Sequence, residues 1–195
     1  MLVCEACFEK ISFTHWDWNK ENELSQRCRL LFPAENTWAL IHFEEKGLSR
    51  EIIHELKYRQ REKVGKILAE WIAERLDFEE NKPDVIVPIP LHPRKMRERG
   101  YNQLYVFTEE LSNLYKIPFN LSLLRRNYYR SAQALKDKAH RKATAGMFSL
   151  TENIENRHVL IVDDVFTTGN TMSAAAWEIL AGGSNKISVL VMAVD

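Results

Sequence analysis

Two adjacent carboxylates, Asp163 and Asp164, follow directly on the apolar run Val159 to Val162. Shortly after them comes a turn rich in hydroxyls and glycine, Thr167-Thr168-Gly169-Asn170-Thr171, and then a helix-compatible stretch, Met172 to Leu180. A loop of that composition at a helix start offers backbone N–H groups, hydroxyls and the positive end of a helix dipole to one phosphate. The paired carboxylates can accept hydrogen bonds from two vicinal hydroxyls or reach a hydrated divalent cation. A phosphate cradle beside a diol clamp is the chemistry of a ribose 5-phosphate. Neither element carries that reading alone, because glycine turns and Asp pairs are common. Their order at the end of an apolar strand does carry it.

The elements that hold these residues are legible around them. Val85–Ile89, Val159–Val162 and Ile187–Val194 are apolar without alternation, the pattern of parallel strands buried on both faces. Trp38–Phe43 is a further strand candidate, and helices are predicted around Gln103–Tyr115 and Met172–Leu180. Between them, Ile52, Ile53, Leu56, Val64, Ile67, Leu68, Trp71, Ile72 and Leu76 recur at steps of three and four. This is a long helical pattern that Gly65 weakens. Alternating strands and helices predict an α/β fold with a central, mostly parallel sheet flanked by helices. Residues 1–36 hold every cysteine and little periodicity, and read as a separate segment before a domain at 37–195.

Two basic stretches extend the candidate site. Pro88 and Pro90 close the Val85 strand, and a basic loop follows with Arg94, Lys95, Arg97 and Arg99 before Gly100. Ligands of open α/β sheets bind at strand C-termini. Such a cluster of cations suits a pyrophosphate, and Gly100 permits close backbone approach. A solvated crossover loop is the plain alternative. Leu124–Phe148 is longer and also basic, with Arg125, Arg126, Arg130, Lys136, Lys138, Arg141 and Lys142. It could fold over a pyrophosphate and exclude water, or contact single-stranded nucleic acid through Tyr128 and Tyr129 among its cations.

Composition narrows the class. At 195 residues and 45% hydrophobic, the chain can bury a sizeable core. Lys and Arg balance Asp and Glu at 27 each, which removes any global charge drive toward DNA or membranes. No apolar run approaches the ~20 residues that span a bilayer, and no signal-peptide pattern opens the chain, so a cytoplasmic address is expected. Three cysteines, an odd number, argue against a disulfide framework.

The VLIVDDVFTTGNT block resembles the signature of the type I phosphoribosyltransferases, which bind 5-phosphoribosyl 1-pyrophosphate (PRPP). HELKY at His54–Tyr58, VPIPLHPRKMRERGYNQ ending at Gln103, and RSAQALKDKAHRKATAGMF ending at Phe148 narrow this further. In block order the chain is similar to the ComF family over residues 38–195, with a minor departure at Ala143 to Ala145. The resemblance implies a type I phosphoribosyltransferase fold with Asp163 and Asp164 as the catalytic, ribose-holding pair. It implies Thr167, Thr168, Gly169, Asn170 and Thr171 on the 5-phosphate; because PRPP needs both subsites, the reading of Arg94, Lys95, Arg97, Arg99 and Gly100 as the pyrophosphate site gains beside it. Arg125, Arg130, Gln133 and Arg141 would belong to a flexible basic segment, and Mg²⁺ would travel with PRPP. A phosphoribosyltransferase with an undeclared acceptor is the leading expectation. A non-catalytic PRPP-binding module, and an accessory protein for single-stranded DNA with a vestigial pocket, stand beside it. The resemblance further implies a role in natural competence, with single-stranded DNA and a helicase-like ATPase as partners.

ComF proteins typically open with two CxxC pairs on zinc. Here Cys4-x-x-Cys7 is present, but Ser25-x-x-Cys28 replaces the second pair, so a closed tetrahedral site is one ligand short. His15 is the candidate fourth ligand, which would give a structural zinc on Cys4, Cys7, Cys28 and His15. The alternative is a degenerate finger whose cysteines are small buried apolar groups.

Overall fold

Apolar runs without alternation pack as buried parallel strands, and four of them form the central sheet of the computed structural model. Strand β1 (Thr37–His42), β6 (Lys186–Val194), β5 (His158–Phe166) and β2 (Val85–Pro88) lie side by side in that order, all parallel. The structure describes residues 4–17, 20–58, 62–78, 81–127 and 146–195. Isolated bridges extend both edges, Phe13 antiparallel to Ile41 and Phe119 parallel to Ile86. A separate antiparallel pair is formed by β3 (Leu124–Arg126) and β4 (Phe148–Leu150).

β5 runs further than its apolar core predicts. Pairing with β6 continues from Asp163 opposite Val191 to Phe166 opposite Val194. The two carboxylates therefore stand inside a strand with a hydrogen-bonded neighbour, which fixes their backbone more firmly than a loop would.

The long helical pattern resolves into two helices, α3 (Leu48–Tyr58) and α4 (Glu62–Ala73). Gly65, the weak point of the pattern, is a contact point: a Cβ there would lie 3.2 Å from the backbone nitrogen of Phe107. That close approach packs α4 on α6 (Leu104–Tyr115). The helix after β5 is α7 (Asn170–Ala181). β5 to β6 steps across the sheet one way, and β2 to the Phe119 edge steps the other way. Right-handed crossovers then place α7 on one face and α6, with α4, on the other.

The stretch read as a basic loop is a short helix, α5 (Pro93–Arg99). Pro93 occupies its first turn, His92 Nδ1 caps it by accepting from the Arg94 N–H at 3.2 Å, and Gly100 ends it. Two further short helices, α1 (Glu5–Phe8) and α2 (Glu23–Arg29), occupy the N-terminal segment. Ile11, Phe13, Leu24, Cys28 and Phe32 are buried in the same core as the sheet. Each Leu or Phe side chain so buried contributes about 1.5–3 kcal/mol. No helix among the described residues is long and apolar enough to cross a membrane.

Candidate functional site

Motifs far apart in sequence converge on the carboxylate pair. Asp164 is 8% exposed and its Oδ2 accepts from Gln103 Nε2 at 2.6 Å. The same oxygen pairs with Lys57 Nζ at 3.1 Å. Arg99 Nη1 donates to Gln103 Oε1 at 2.9 Å, so an arginine, a glutamine and a carboxylate form a chain. Asp163 Oδ1 accepts the backbone N–H of Asp164 at 2.8 Å. Lys57 is on α3 and Gln103 precedes α6. Tyr101 ties these elements together, its hydroxyl donating to Leu56 O at 2.8 Å, while Asn102 Nδ2 holds Ile89 O at 3.1 Å.

The environment divides the two carboxylates. Burial first, and then the charge of Asp164, push the Asp163 carboxyl far above the ordinary carboxylate range; Lys57 and Arg126 oppose the shift. Asp163 is half-buried, so water tempers the size of the effect and leaves its direction. A carboxyl raised in the folded state favours folding most when protonated. That contribution is complete below about pH 4 and is lost as pH rises through the raised value. Asp163→Asn is accordingly expected to be near neutral for stability at pH 4. It should stabilise on the order of 1 kcal/mol at pH 8, read as the difference in Tm between the two pH values.

The phosphate-type loop lies at the end of the same strand. Gly169 takes a left-handed φ of 76° and forms the N-cap of the twelve-residue helix α7. Thr167, Thr168 and Asn170 are exposed around it, and Thr171 is half-buried. Residues 165–172 with Asp163 line a small cavity of about 40 Å³. The dipole of a helix of this length favours an anion there.

An unexpected residue braces that loop. Arg27 on α2 donates to the carbonyls of Thr167 and Asp195 and lies 5.1 Å from the centre of the Phe166 ring. Trp177 Nε1 donates to Leu31 O at 2.9 Å, holding the chain after α2 against α7.

The expected pyrophosphate cations divide. Arg94 pairs with Glu98 at 2.9 Å on an exposed face, and Lys95 is exposed. Arg99 faces inward to Gln103, and Gly100 is exposed at the helix end. Arg97 lines a cavity of about 520 Å³ together with Pro90, Leu91, Arg125 and Arg126. Arg126 also lies 5.4 Å from the Phe148 ring centre; burial lowers its pKa, and Asp163 acts in the opposite direction. Arg130, Gln133 and Arg141 lie outside the described residues.

Lys57, Gln103 and Arg27 were not among the candidate site residues, and Arg126 was named only within the basic stretch. Lys57 and Gln103 carried a signal, since both fall on the motif blocks, and Lys57 sits four residues after the buried Ile53 on the apolar side of α3. Arg27 carried none.

With this geometry in place, comparison with known proteins decides the family. Residues 56–194 match the phosphoribosyl transferase domain. The chain belongs to that family. It is 28% identical over 144 residues to the DNA utilization protein YhgH of Escherichia coli O157:H7, covering 71% of this chain and 63% of that protein. It is 30% identical to competence protein F of Haemophilus influenzae, over 55% of this chain and 48% of that protein. Identity reaches 34% with competence protein ComFC of Bacillus subtilis, over 53% of this chain and 41% of that one. The chain thus spans less than two thirds of the length of these curated relatives. Similar solved structures include the adenine phosphoribosyltransferase of Leishmania donovani (12% identity, 80% of this chain and 84% of that one, TM-score 0.46). The purine phosphoribosyltransferase of Pyrococcus horikoshii is another (19%, 66% and 81%, 0.42).

Within this phosphoribosyl transferase family member, the N-terminal cysteines do not assemble. Cys4 and Cys7 are neighbours: their mutual hydrogen bond lowers the Cys4 thiol and raises that of Cys7. Cys28 is fully buried on α2, its thiol pushed up to about 12 by burial. His15 instead packs edge-on to Phe13, with ring centroids 6.1 Å apart. No three His, Cys, Asp or Glu side chains are grouped to hold a metal among the described residues. As placed here, Cys28 and His15 do not join Cys4 and Cys7 in the expected four-ligand set. Cys28 follows Leu24 by four residues on a helix whose N-cap, Asn22, forms a capping box with Ser25, so both positions of the lost CxxC serve the fold. Dialysis against a strong chelator is expected to leave Tm unchanged; a fall of several degrees would restore the zinc.

Proposed function

We propose that this chain binds PRPP with Mg²⁺ and acts as a phosphoribosyltransferase in the use of incoming DNA. One observation carries the reading: the carboxylate pair and the left-handed glycine loop stand at the C-terminal end of one strand, beside a cavity lined by three arginines. The loop at 167–171 would hold the 5-phosphate through backbone N–H groups and hydroxyls. Asp163 and Asp164 would accept the two ribose hydroxyls and turn C1 toward the acceptor. Arg97, Arg125 and Arg126 would face the pyrophosphate.

As the acceptor bonds to C1, the C1–oxygen bond to pyrophosphate breaks and its electron pair leaves with the pyrophosphate. The ribose gains positive charge in passing, which the nearby carboxylates stabilise, while the arginines receive the leaving anion. Two carboxylates with no third His, Cys, Asp or Glu grouped beside them among the described residues suit Mg²⁺, which binds through one or two carboxylates plus substrate phosphates. When bound, the ion supplies charge neutralisation of the pyrophosphate. The link to DNA uptake rests on the names of the relatives, and single-stranded DNA and a helicase-like ATPase remain the proposed partners.

Pyrophosphate release from PRPP, followed across a panel of amines and nucleobases, tests the transfer. Release with one acceptor class and background release without it is the expected result. PRPP binding with no release across the panel would make the chain a PRPP-binding module instead.

A further inference from the structure

The N-terminal segment reaches the phosphate loop through the Arg27 side chain. Arg27 donates from Nη2 to the Thr167 carbonyl and from Nη1 to the Asp195 carbonyl. Asp195 is itself tied to the start of the loop, its N–H donating to Phe166 O at 3.1 Å. The Arg27 guanidinium also stands 5.1 Å from the centre of the Phe166 ring. That ring lies directly against the loop, with Phe166 Cζ 2.7 Å from where a Cβ on Gly169 would stand. We infer that Arg27 is a positioning residue for the phosphate loop: it fixes the peptide plane between Thr167 and Thr168, and so the direction in which the Thr168 N–H meets an anion. The N-terminal segment thereby becomes part of the phosphate subsite. This rests on the reading of the loop as a 5-phosphate site.

The physical reason is the rigidity of the peptide group. A trans peptide is planar, and its C=O and N–H point in opposite directions. No cis bond occurs among the described residues. A Thr167 carbonyl held toward Arg27 therefore sends the Thr168 N–H out on the far side of the same plane. Among the described residues no protein acceptor takes that N–H, nor those of Gly169, Asn170 and Thr171. Thr168 is exposed and lines the small cavity with Asp163 and the rest of the loop. Released from Arg27, the plane can turn about its two flanking soft dihedrals, and the Thr168 N–H leaves the set. Arginine suits this task because its planar fork reaches two carbonyls at once while lying over a ring; an ammonium is a single point charge. The base of the fork is held too. Leu24 and Cys28 on α2 are fully buried, and the N-cap Asn22 donates from Nδ2 to Thr37 O at 2.8 Å. Arg27 thus acts on the ligand through the loop, without a ligand contact of its own.

The test is titration of ribose 5-phosphate into the wild type, Arg27→Met and Trp177→Phe, with the Thr168 amide followed by NMR. Trp177→Phe removes a different tie of the same segment, Trp177 Nε1 to Leu31 O at 2.9 Å, and leaves the Thr167 carbonyl alone. It separates loosening of the segment from turning of the peptide. Arg27→Met should bind about 10-fold more weakly, the value of one hydrogen bond to a charged group. Its Thr168 amide proton, which the ligand shifts downfield in the wild type, should stay in place at saturation. Trp177→Phe should keep its affinity within about 3-fold of the wild type even where its Tm falls. Should Arg27→Met fail to fold, Arg27→Lys takes its place. It keeps the charge and loses the fork, and should weaken binding by about 3-fold or more with a smaller Thr168 shift. Wild-type affinity in the folded Arg27 variant, or a full Thr168 shift in it, would overturn the inference and leave the 5-phosphate site standing. So would an equal loss in Trp177→Phe. A wild type that does not bind ribose 5-phosphate would overturn the underlying reading itself.

Discussion

The double variant Asp163→Asn, Asp164→Asn is expected to lose PRPP affinity by about 100-fold or more while staying folded. Asp164, and Asp163 once ionised, would each accept one ribose hydroxyl, and a hydrogen bond to a charged acceptor is worth about 1.5–3 kcal/mol. Two of them amount to roughly 3–6 kcal/mol, or 10²-fold to 10⁴-fold in affinity. Stability should change little, because the two substitutions act in opposite directions. Asp164→Asn removes the partner of Lys57, whose side chain is 23% exposed, and strands a partly buried cation. Asp163→Asn removes the carboxyl that burial already penalises. Calorimetric titration with a thermal melt on the same sample checks both parts. Wild-type affinity in the folded double variant would remove the ribose assignment.

Gly169→Ala should be the most damaging single substitution in the phosphate loop. Its φ of 76° belongs to the left-handed region, where a side chain costs about 1–2 kcal/mol. A Cβ would also stand 2.4 Å from Leu31 Cδ1 and 2.7 Å from Phe166 Cζ. Leu31 Cδ1 is the end of a side chain that can turn, but Phe166 does not move freely: its ring is 3% exposed, with the Arg27 guanidinium over it. Overpacking of this kind adds about 1–3 kcal/mol. The sum, roughly 2–5 kcal/mol, corresponds to a fall in Tm of about 5–15 °C for a chain of this size. Phosphate affinity should fall with it, since the N–H groups of the loop would no longer converge. Gly100→Ala is the internal control. It shares the left-handed φ, at 79°, but nothing lies within 4 Å of its added Cβ. It should cost about 1 kcal/mol. Equal losses at the two glycines would show that Leu31 and Phe166 do not brace the loop.

What was legible in the sequence was what is local. The phosphate loop and the carboxylate pair are built from neighbours in one chain segment, so their order along β5 and into α7 could be read directly. The sheet was legible for a similar reason: strands buried on both faces write their burial as unbroken apolar runs. Asp164, by contrast, is anchored by Lys57 and Gln103, and no periodicity links positions 57, 103 and 164. α5 was misread although its start and stop signals, Pro93 and Gly100, flank it; the density of cations suggested a loop. Its helical form turns Arg94 and Lys95 outward and leaves Arg97 at the cavity. The cysteine spacing left a zinc site and a degenerate finger both open, and Cys28 continues the apolar face that Leu24 begins.

The central claim is that this pocket takes PRPP, and calorimetric titration of PRPP with Mg²⁺ into the wild-type protein tests it most directly. The expected result is saturable binding at one site per chain, competed by ribose 5-phosphate and absent from the Asp163→Asn, Asp164→Asn variant. No binding to the folded wild type would contradict the account, and so would binding that the double variant retains in full.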